Sequence, residues 1–159
     1  MTAPKKRNIK TSDKPTTALS RRDARQRAIS ILYESKIKEI SAIEIADDEG
    51  KSTVDPLTYY LIEGVVADLE AIDSIIGRLS TNWTFDRLPL VERCILEIAI
   101  FELLDTSNNQ AIVINEAVEL VRRLGEPKST SYINGILSTV AAEYLVKPDQ
   151  SPSSIHINE

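Results

Sequence analysis

The sequence predicts an all-α protein, a compact bundle of six or seven helices, and three observations support this. Apolar residues recur at three- and four-residue spacing through most of the chain. Aromatic residues make up only 5% of it and glycines number five, which disfavours a sandwich of short, turn-linked strands. A length of 159 residues with 42% apolar content is enough for one buried core.

The first helix is predicted from the stretch "SRRDARQRAISILYES". Ser20 and Asp23 have the spacing of a capping box at its start. At 100° per residue one narrow face is predicted to be buried, made up of Ala24, Ala28, Ile31, Leu32 and Ser35.

Two start signals follow. Ser41 with Glu44 predicts a brief second helix. Asp55 before Pro56 predicts a further helix, because proline at the first helical position loses no hydrogen bond. Its apolar spacing predicts that this helix continues to about Ser80.

The second half of the chain contains three predicted helices. One starts near Leu88 or Pro89 and runs through "VERCILEIAIFELLD"; it is apolar on more than one face, so it is predicted to be the most buried. "AIVINEAVELVRRLG" forms the next, with Gly125 as its C-cap. The last runs from about Ser129 to Leu145, and Gly135 within it is expected to permit a close helix approach.

These elements define a helical domain at residues 20–146. Residues 1–19 are predicted to be a disordered basic tail and residues 147–159 a flexible C-terminal tail. The first 40 residues hold eleven Lys/Arg against four Asp/Glu, whereas the other 119 hold eight against twenty. A basic front on an acidic body favours contact with a polyanion on one surface; a solubilising tail is the alternative.

Few residues offer catalytic chemistry. The only histidine, His156, lies in the predicted tail, and Cys94 lies on the most apolar helix, where a core position is expected. No phosphate-binding glycine loop and no set of zinc ligands is present, so neither an enzyme nor a metal or cofactor is predicted. The abundant glutamates have spacings typical of solvated faces, as at Glu97, Glu102, Glu116 and Glu119.

The single cysteine favours a reducing compartment. No apolar signal core or run of membrane-spanning length is present. A cytoplasmic protein without membrane contact is therefore expected.

One flank of the first helix combines cations with apolar side chains. Arg22 and Arg25 lie near the helix start, and Ile29 and Tyr33 follow on the same flank. Arginines beside the free N–H groups of a helix N-terminus are typical of an anion site, with phosphate as the expected ligand. Two alternatives stay open: the arginines pair with acidic groups of the same chain, and another helix covers Ile29 and Tyr33.

Four segments in order carry a family resemblance: "RRDARQRAISILY", "LVERCILEIAIFELL", "VINEAVELVRRLG" and "SYINGIL". Together they resemble the NusB family of transcription antitermination factors, over about Ser20 to Leu145. The NusB-like domain of some RNA cytosine methyltransferases shares the pattern, but such an enzyme needs a cofactor-binding domain for which 159 residues leave no room.

The resemblance implies two packed helical subdomains. It also implies binding of single-stranded boxA-type RNA together with a small ribosomal-subunit protein in the NusE role. The resulting RNA polymerase antitermination complex reads through terminators, notably in ribosomal RNA operons. The alternatives are a protein-only helical adaptor and a non-catalytic partner of an RNA-modifying enzyme. Some members self-associate near the RNA site, so a homodimer is a further alternative.

The resemblance also implies site residues. The positions that match the family's RNA contacts are Arg21, Arg22 and Arg25 on the first helix and Lys128, Ser129 and Tyr132 in the loop into the last helix. For Tyr132, packing in the core is the alternative. The positions that match the family's partner-facing surface are Tyr33, Asp86 and Glu92. An acidic patch suits a basic ribosomal protein, because complementary charge steers association.

Overall fold

The computed structural model describes residues 18–48, 54–80, 88–105 and 107–144. Within those ranges the chain forms seven α-helices, a short 3₁₀ turn and no strand, which confirms the all-α prediction. The helices are α1 (Ala18–Lys38), α2 (Ala42–Asp48), α3 (Pro56–Ala67), α4 (Leu69–Leu79), α5 (Leu90–Leu104), α6 (Gln110–Leu124) and α7 (Thr130–Tyr144), with the 3₁₀ turn at Pro127–Ser129. Helices α1–α3 belong to one compact unit and α4–α7 to a second.

In the first unit, α1 packs against α2 and α3. Helix α1 begins at Ala18, two residues before Ser20. Ser20 therefore lies within the first turn, and the prediction that it caps the helix is wrong. The four apolar residues of the predicted narrow face are buried, and Ser35 is half-buried. Arg25 and Ile29 are buried as well, at 7% and 3% exposure, so the buried face of α1 is wider than its apolar spacing predicted.

The starts of α2 and α3 follow the predicted signals. The Ser41 hydroxyl oxygen accepts a hydrogen bond from the Ile43 N–H at 3.2 Å. The Asp55 carboxylate accepts one from the Thr58 N–H at 3.1 Å, and α3 begins at Pro56. Both acceptors satisfy backbone donors that have no partner within the first turn of a helix.

The single helix predicted from Pro56 to about Ser80 is wrong, because the structure divides it into α3 and α4. The break lies at Asp68, whose backbone angles of φ −116° and ψ 23° leave the helical region. Aspartate is a poor residue for a helix interior and a common one at helix starts. The apolar spacing continues across the break and therefore does not reveal it.

In the second unit, α5 packs against α4, α6 and α7 and is the central helix, as predicted. Ten of its fifteen residues are buried, including Cys94 at its predicted core position. Glu97 and Glu102 are also buried, so the prediction that they lie on solvated faces is wrong. Three neighbouring helices leave α5 little free surface, and both carboxylates have interaction partners within the protein.

Helices α6 and α7 test the predictions made for Gly125, for the end of the last helix and for Gly135. Asn109 caps α6 by accepting a hydrogen bond from the Ile112 N–H at 3.0 Å, and Gly125 is the C-cap, as predicted. Helix α7 ends at Tyr144. The prediction of a close helix approach at Gly135 is wrong: this glycine is exposed, and no described residue lies within 4 Å of a Cβ atom placed there.

A polar cluster joins the ends of α4 and α7. Arg78 Nη2 donates hydrogen bonds to Glu143 Oε1 at 2.6 Å and to the Tyr144 hydroxyl at 2.7 Å. The guanidinium carbon also lies 5.6 Å from the centre of the Tyr144 ring. The hydrogen bond to Glu143 raises the pKa of Arg78 above its usual range, because it stabilises the charged guanidinium. The last turn of α7 is therefore attached to α4 at the surface.

Residues 1–17 and 145–159 lie outside the described ranges, so the structure describes only Ala18 and Leu19 of the predicted tails at residues 1–19 and 147–159. Among the helices that the structure does describe, none has the length and apolar character needed to cross a membrane.

Candidate nucleic-acid interface

The start of α1 is electropositive. No acidic residue lies in its first turn, and Arg21 is exposed there while Arg22 is half-buried. A helix N-terminus carries about half a positive charge, so each cation there costs roughly 0.3–1 kcal/mol unless an anion compensates it. Exposed Asp23 follows Arg22 directly, so Arg21, at the end of the first turn, is the cation of this helix start best placed to meet an anionic ligand.

Arg25, the third arginine of this set, lies deeper. Its side chain is buried, and Arg25 and Arg22 both interact with other groups of the protein. Arg25 is therefore better placed to fix the start of α1 than to reach a phosphate in solvent. Ile29 is buried too, which agrees with the alternative that another part of the chain covers it. Spacing alone did not reveal these two positions, because both lie beside the apolar face and not within it.

The second group of predicted contacts belongs to the other unit, at the 3₁₀ turn between α6 and α7. Lys128 is strongly exposed, with its ammonium nitrogen 3.7 Å from Glu126 Oε1. Ser129 is only 2% exposed, and its N–H donates to the Glu126 carbonyl at 2.8 Å. Within the described ranges its hydroxyl oxygen has no hydrogen-bond partner. Lys128 is thus the accessible cation of this loop, and Ser129 packs beneath it.

Tyr132 lies in the first turn of α7 and is half-buried, with its hydroxyl oxygen shielded from solvent. Its inward side chain agrees with the packing alternative. Tyr132 also borders an open groove of about 360 Å³. The other lining residues are Leu79, Ser131, Gly135, Ile136 and Thr139. The groove extends beside Gly135, and no atom of the described residues lies within 4 Å of the position that a Cβ atom would take there.

Glu92 was predicted to face a protein partner, but the structure places it inside the second unit at 1% exposure. Its Oε2 atom accepts a hydrogen bond from the Glu126 N–H at 2.8 Å. A Cβ atom built on Gly125 would lie 2.6 Å from the same oxygen. Glu92 therefore contributes no exposed charge to the predicted acidic patch, and Asp86, its other acidic member, lies outside the described residues.

Tyr33 begins an apolar surface patch at the C-terminal end of α1. It is 38% exposed, and Ile37, one turn further on, is 58% exposed. Glu39 adopts a left-handed φ of 58°, and the Ile40 N–H donates to the Ser35 carbonyl at 3.2 Å, which turns exposed Ile40 back towards the helix end. Neither isoleucine was predicted as a surface residue from the sequence, although the four-residue spacing from Tyr33 to Ile37 places these two side chains next to each other on one helix face.

The fold and these surfaces define an all-helical binding protein. Among the described residues no group of three His, Cys, Asp or Glu side chains is arranged to hold a metal ion. Comparison with known proteins identifies the family. The model of the NusB family matches residues 22–142.

Several relatives are similar over most of their length. The transcription antitermination protein NusB of Acidothermus cellulolyticus is 38% identical over 127 residues, which cover 77% of this chain and 88% of that protein. The protein of the same name from Bacillus subtilis is 35% identical over 129 residues, which cover 79% of this chain and 97% of that protein. The chain therefore belongs to the NusB family.

Solved structures agree in fold. NusB of T. maritima has a TM-score of 0.72 at 28% identity and covers 80% of this chain and 94% of that one. A NusB chain crystallised with NusE and double-stranded RNA has a TM-score of 0.68 at 27% identity. The match covers 80% of this chain and 100% of that one. The matched region of the family model contains all nine predicted RNA and partner positions except Arg21.

Proposed function

We propose that this protein is a transcription antitermination factor. It binds boxA-type single-stranded RNA together with a small ribosomal-subunit protein in the NusE role. Within the RNA polymerase antitermination complex it promotes read-through in ribosomal RNA operons. The family match across residues 22–142 is the observation that carries this proposal. The structurally similar NusB that was solved with NusE and double-stranded RNA supports RNA and a protein in the NusE role as partners.

RNA binding is assigned to two accessible cationic groups, one on each unit. Arg21, with Arg22 beside it, provides the group at the start of α1, and Lys128 provides the other before α7. Phosphates that approach either group displace counterions, which adds affinity in low salt. The electrostatic cost of cations at a helix start then becomes part of the binding energy.

The partner protein is assigned to the patch of Tyr33, Ile37 and Ile40. Tyrosine and branched apolar side chains at a surface bind proteins by excluding water, and aromatic residues are enriched in such interfaces. The patch also favours a second candidate, an adaptor that binds protein alone. In both cases the protein acts by holding partners together and performs no catalytic step.

The proposal is tested by fluorescence anisotropy of a labelled boxA-type RNA. The RNA is titrated with the protein, with and without the small ribosomal-subunit partner. A scrambled single strand and a duplex of the same sequence serve as comparisons. Selective binding to the boxA strand that tightens with the partner is expected. Partner binding with no RNA binding would favour the protein-only adaptor.

Equal binding to all three RNAs, indifferent to the partner, would contradict the proposal. Two variants then locate the RNA surface. Arg21→Ala combined with Arg22→Ala is expected to weaken binding of boxA RNA. Arg27→Ala is the matched control, because Arg27 is an exposed cation on a different face of the same helix.

A further inference from the structure

The buried carboxylate of Glu92 fixes the loop that carries Lys128. Glu92 lies in the first turn of α5, 34 residues before the loop in sequence. Its Oε2 atom accepts the Glu126 N–H at 2.8 Å, while the side chain is almost fully removed from solvent. The bond is partly buried and its acceptor is a carboxylate, so its loss is expected to cost more than the loss of an exposed neutral hydrogen bond.

Glu126, which is held by Glu92, also forms a hydrogen bond to the next part of the loop. Its carbonyl accepts the Ser129 N–H at 2.8 Å, which closes the 3₁₀ turn. The Thr130 hydroxyl donates to the Pro127 carbonyl at 3.0 Å, one residue further on. Ser129 is buried below the turn, so the Lys128 backbone lies between two fixed points.

Gly125 provides the space that this arrangement needs. Its φ of −104° and ψ of −151° are extended, so the left-handed conformation common at helix ends does not explain the glycine. A Cβ atom would lie 2.6 Å from Glu92 Oε2 and 2.8 Å from Glu92 Cδ. Alanine at this position therefore forces the Glu92 carboxylate to shift, and that shift is expected to weaken its hydrogen bond to the Glu126 N–H.

We propose that Glu92 is a positioning residue for RNA binding: it holds the Lys128 loop where the loop contacts RNA phosphate. Gly125 leaves room for the Glu92 carboxylate, because it has no side chain. This inference rests on the proposed RNA-binding function. It assigns Glu92 a role through the loop, in place of the partner contact that its sequence position suggested.

A double-mutant cycle of Glu92→Ala and Gly125→Ala tests this. Each single variant is expected to weaken boxA RNA binding about tenfold, equivalent to about 1.4 kcal/mol. Each should also reduce the log–log salt slope by about 0.7, the contribution of one phosphate on a single strand. The double variant should be no weaker than either single one, because both changes break the same bond.

Two further variants separate positioning from general stability. Glu92→Gln keeps an acceptor oxygen and is expected to retain near wild-type RNA binding, even where Glu92→Ala folds poorly. Glu97→Ala removes another buried carboxylate from α5 and is expected to lower stability without changing the salt slope. Hydrogen exchange adds a direct readout: the Glu126 amide should exchange faster in Glu92→Ala and Gly125→Ala but not in Glu92→Gln.

The possible failures are distinguishable. If the wild-type protein does not select boxA RNA, the proposed function fails and this inference fails with it. If the wild type binds selectively but the losses of RNA affinity in Glu92→Ala and Gly125→Ala multiply in the double variant, only the positioning role of Glu92 is overturned. The same holds if the salt slope stays unchanged in all variants.

Discussion

The Thr58 hydroxyl donates a hydrogen bond to the main-chain carbonyl of Ala24 at 3.0 Å, which ties α3 to the arginine-bearing end of α1. Thr58 is fully buried, and its hydroxyl also lies 3.0 Å from Asp55 Oδ2. Ala24 lies between Asp23 and Arg25 in the sequence, two residues after Arg22. One buried hydroxyl therefore fixes the part of α1 to which RNA binding is assigned.

Replacing Thr58 by valine keeps the shape of the side chain and removes this hydrogen bond. The expected loss is about 1–2 kcal/mol in the free energy of unfolding, measured in urea, because the buried bond has no water to replace it. Thr139→Val is the matched control, since the Thr139 hydroxyl donates an exposed hydrogen bond to the Gly135 carbonyl within its own helix. That change should stay within about 0.5 kcal/mol. Equal losses in the two variants would contradict the role assigned to Thr58.

Alkaline pH should weaken the first unit through Tyr59. Its hydroxyl donates to Asp47 Oδ1 at 2.8 Å, and this bond, together with the negative charge, raises the pKa of Tyr59 above its usual 10.0. The bond exists only with the neutral phenol. Its contribution is therefore complete below about pH 10 and is lost as pH rises through the higher folded-state pKa.

The measurement compares wild type with Tyr59→Phe. The difference in their free energies of unfolding should be constant at neutral pH and should shrink above pH 10. Absorbance titration of tyrosine ionisation should show one high-pKa group missing from the variant. A pH-independent difference would mean that the bond to Asp47 does not persist in solution.

Two helical glycines should be replaceable with a gain in stability. Gly77 in α4 and Gly135 in α7 are exposed, and a Cβ atom on either would meet nothing within 4 Å in the part of the chain that the structure describes. Alanine at each position should raise the free energy of unfolding by about 0.5–1 kcal/mol, the usual helix-propensity difference. Chemical denaturation of the single variants measures this. Destabilisation at Gly135 but not at Gly77 would show that something fills the groove beside Tyr132.

The salt dependence of RNA affinity should show how many RNA phosphates the arginines of α1 neutralise. Wild-type binding of boxA RNA is expected to give a log–log slope of about −2 to −4, at about −0.7 for each neutralised phosphate. The Arg21→Ala, Arg22→Ala double variant should reduce the size of that slope by up to about 1.4. Titrations at four or more salt concentrations measure it. A slope near zero in the wild type would refute the assignment of these arginines.

Local signals in the sequence predicted most of the helices because their causes are local. Proline at position 56 begins α3, and a periodic apolar run defines α6 up to Gly125. The division at Asp68 was missed because the apolar spacing continues through it while only the backbone angles change. Periodicity reports which side of a segment is buried, not whether the segment is one helix or two.

The candidate site was less predictable, because burial there depends on contacts distant in sequence. Arg25 and Glu92 are charged residues that the sequence places near a surface, yet both are buried. The glycine at 125 was correctly assigned as a C-cap, but for a reason the sequence does not contain. Its cause is a carboxylate on α5 that occupies the space of the missing side chain.

Cys94 gives the protein an internal chemical probe. It is the only cysteine in the chain, and it lies fully buried on the central helix α5. A thiol reagent can therefore modify it only when the second unit opens, so the rate of modification measures that opening directly. A cysteine added at an exposed position would react first, which allows one dye to be attached selectively to the native protein.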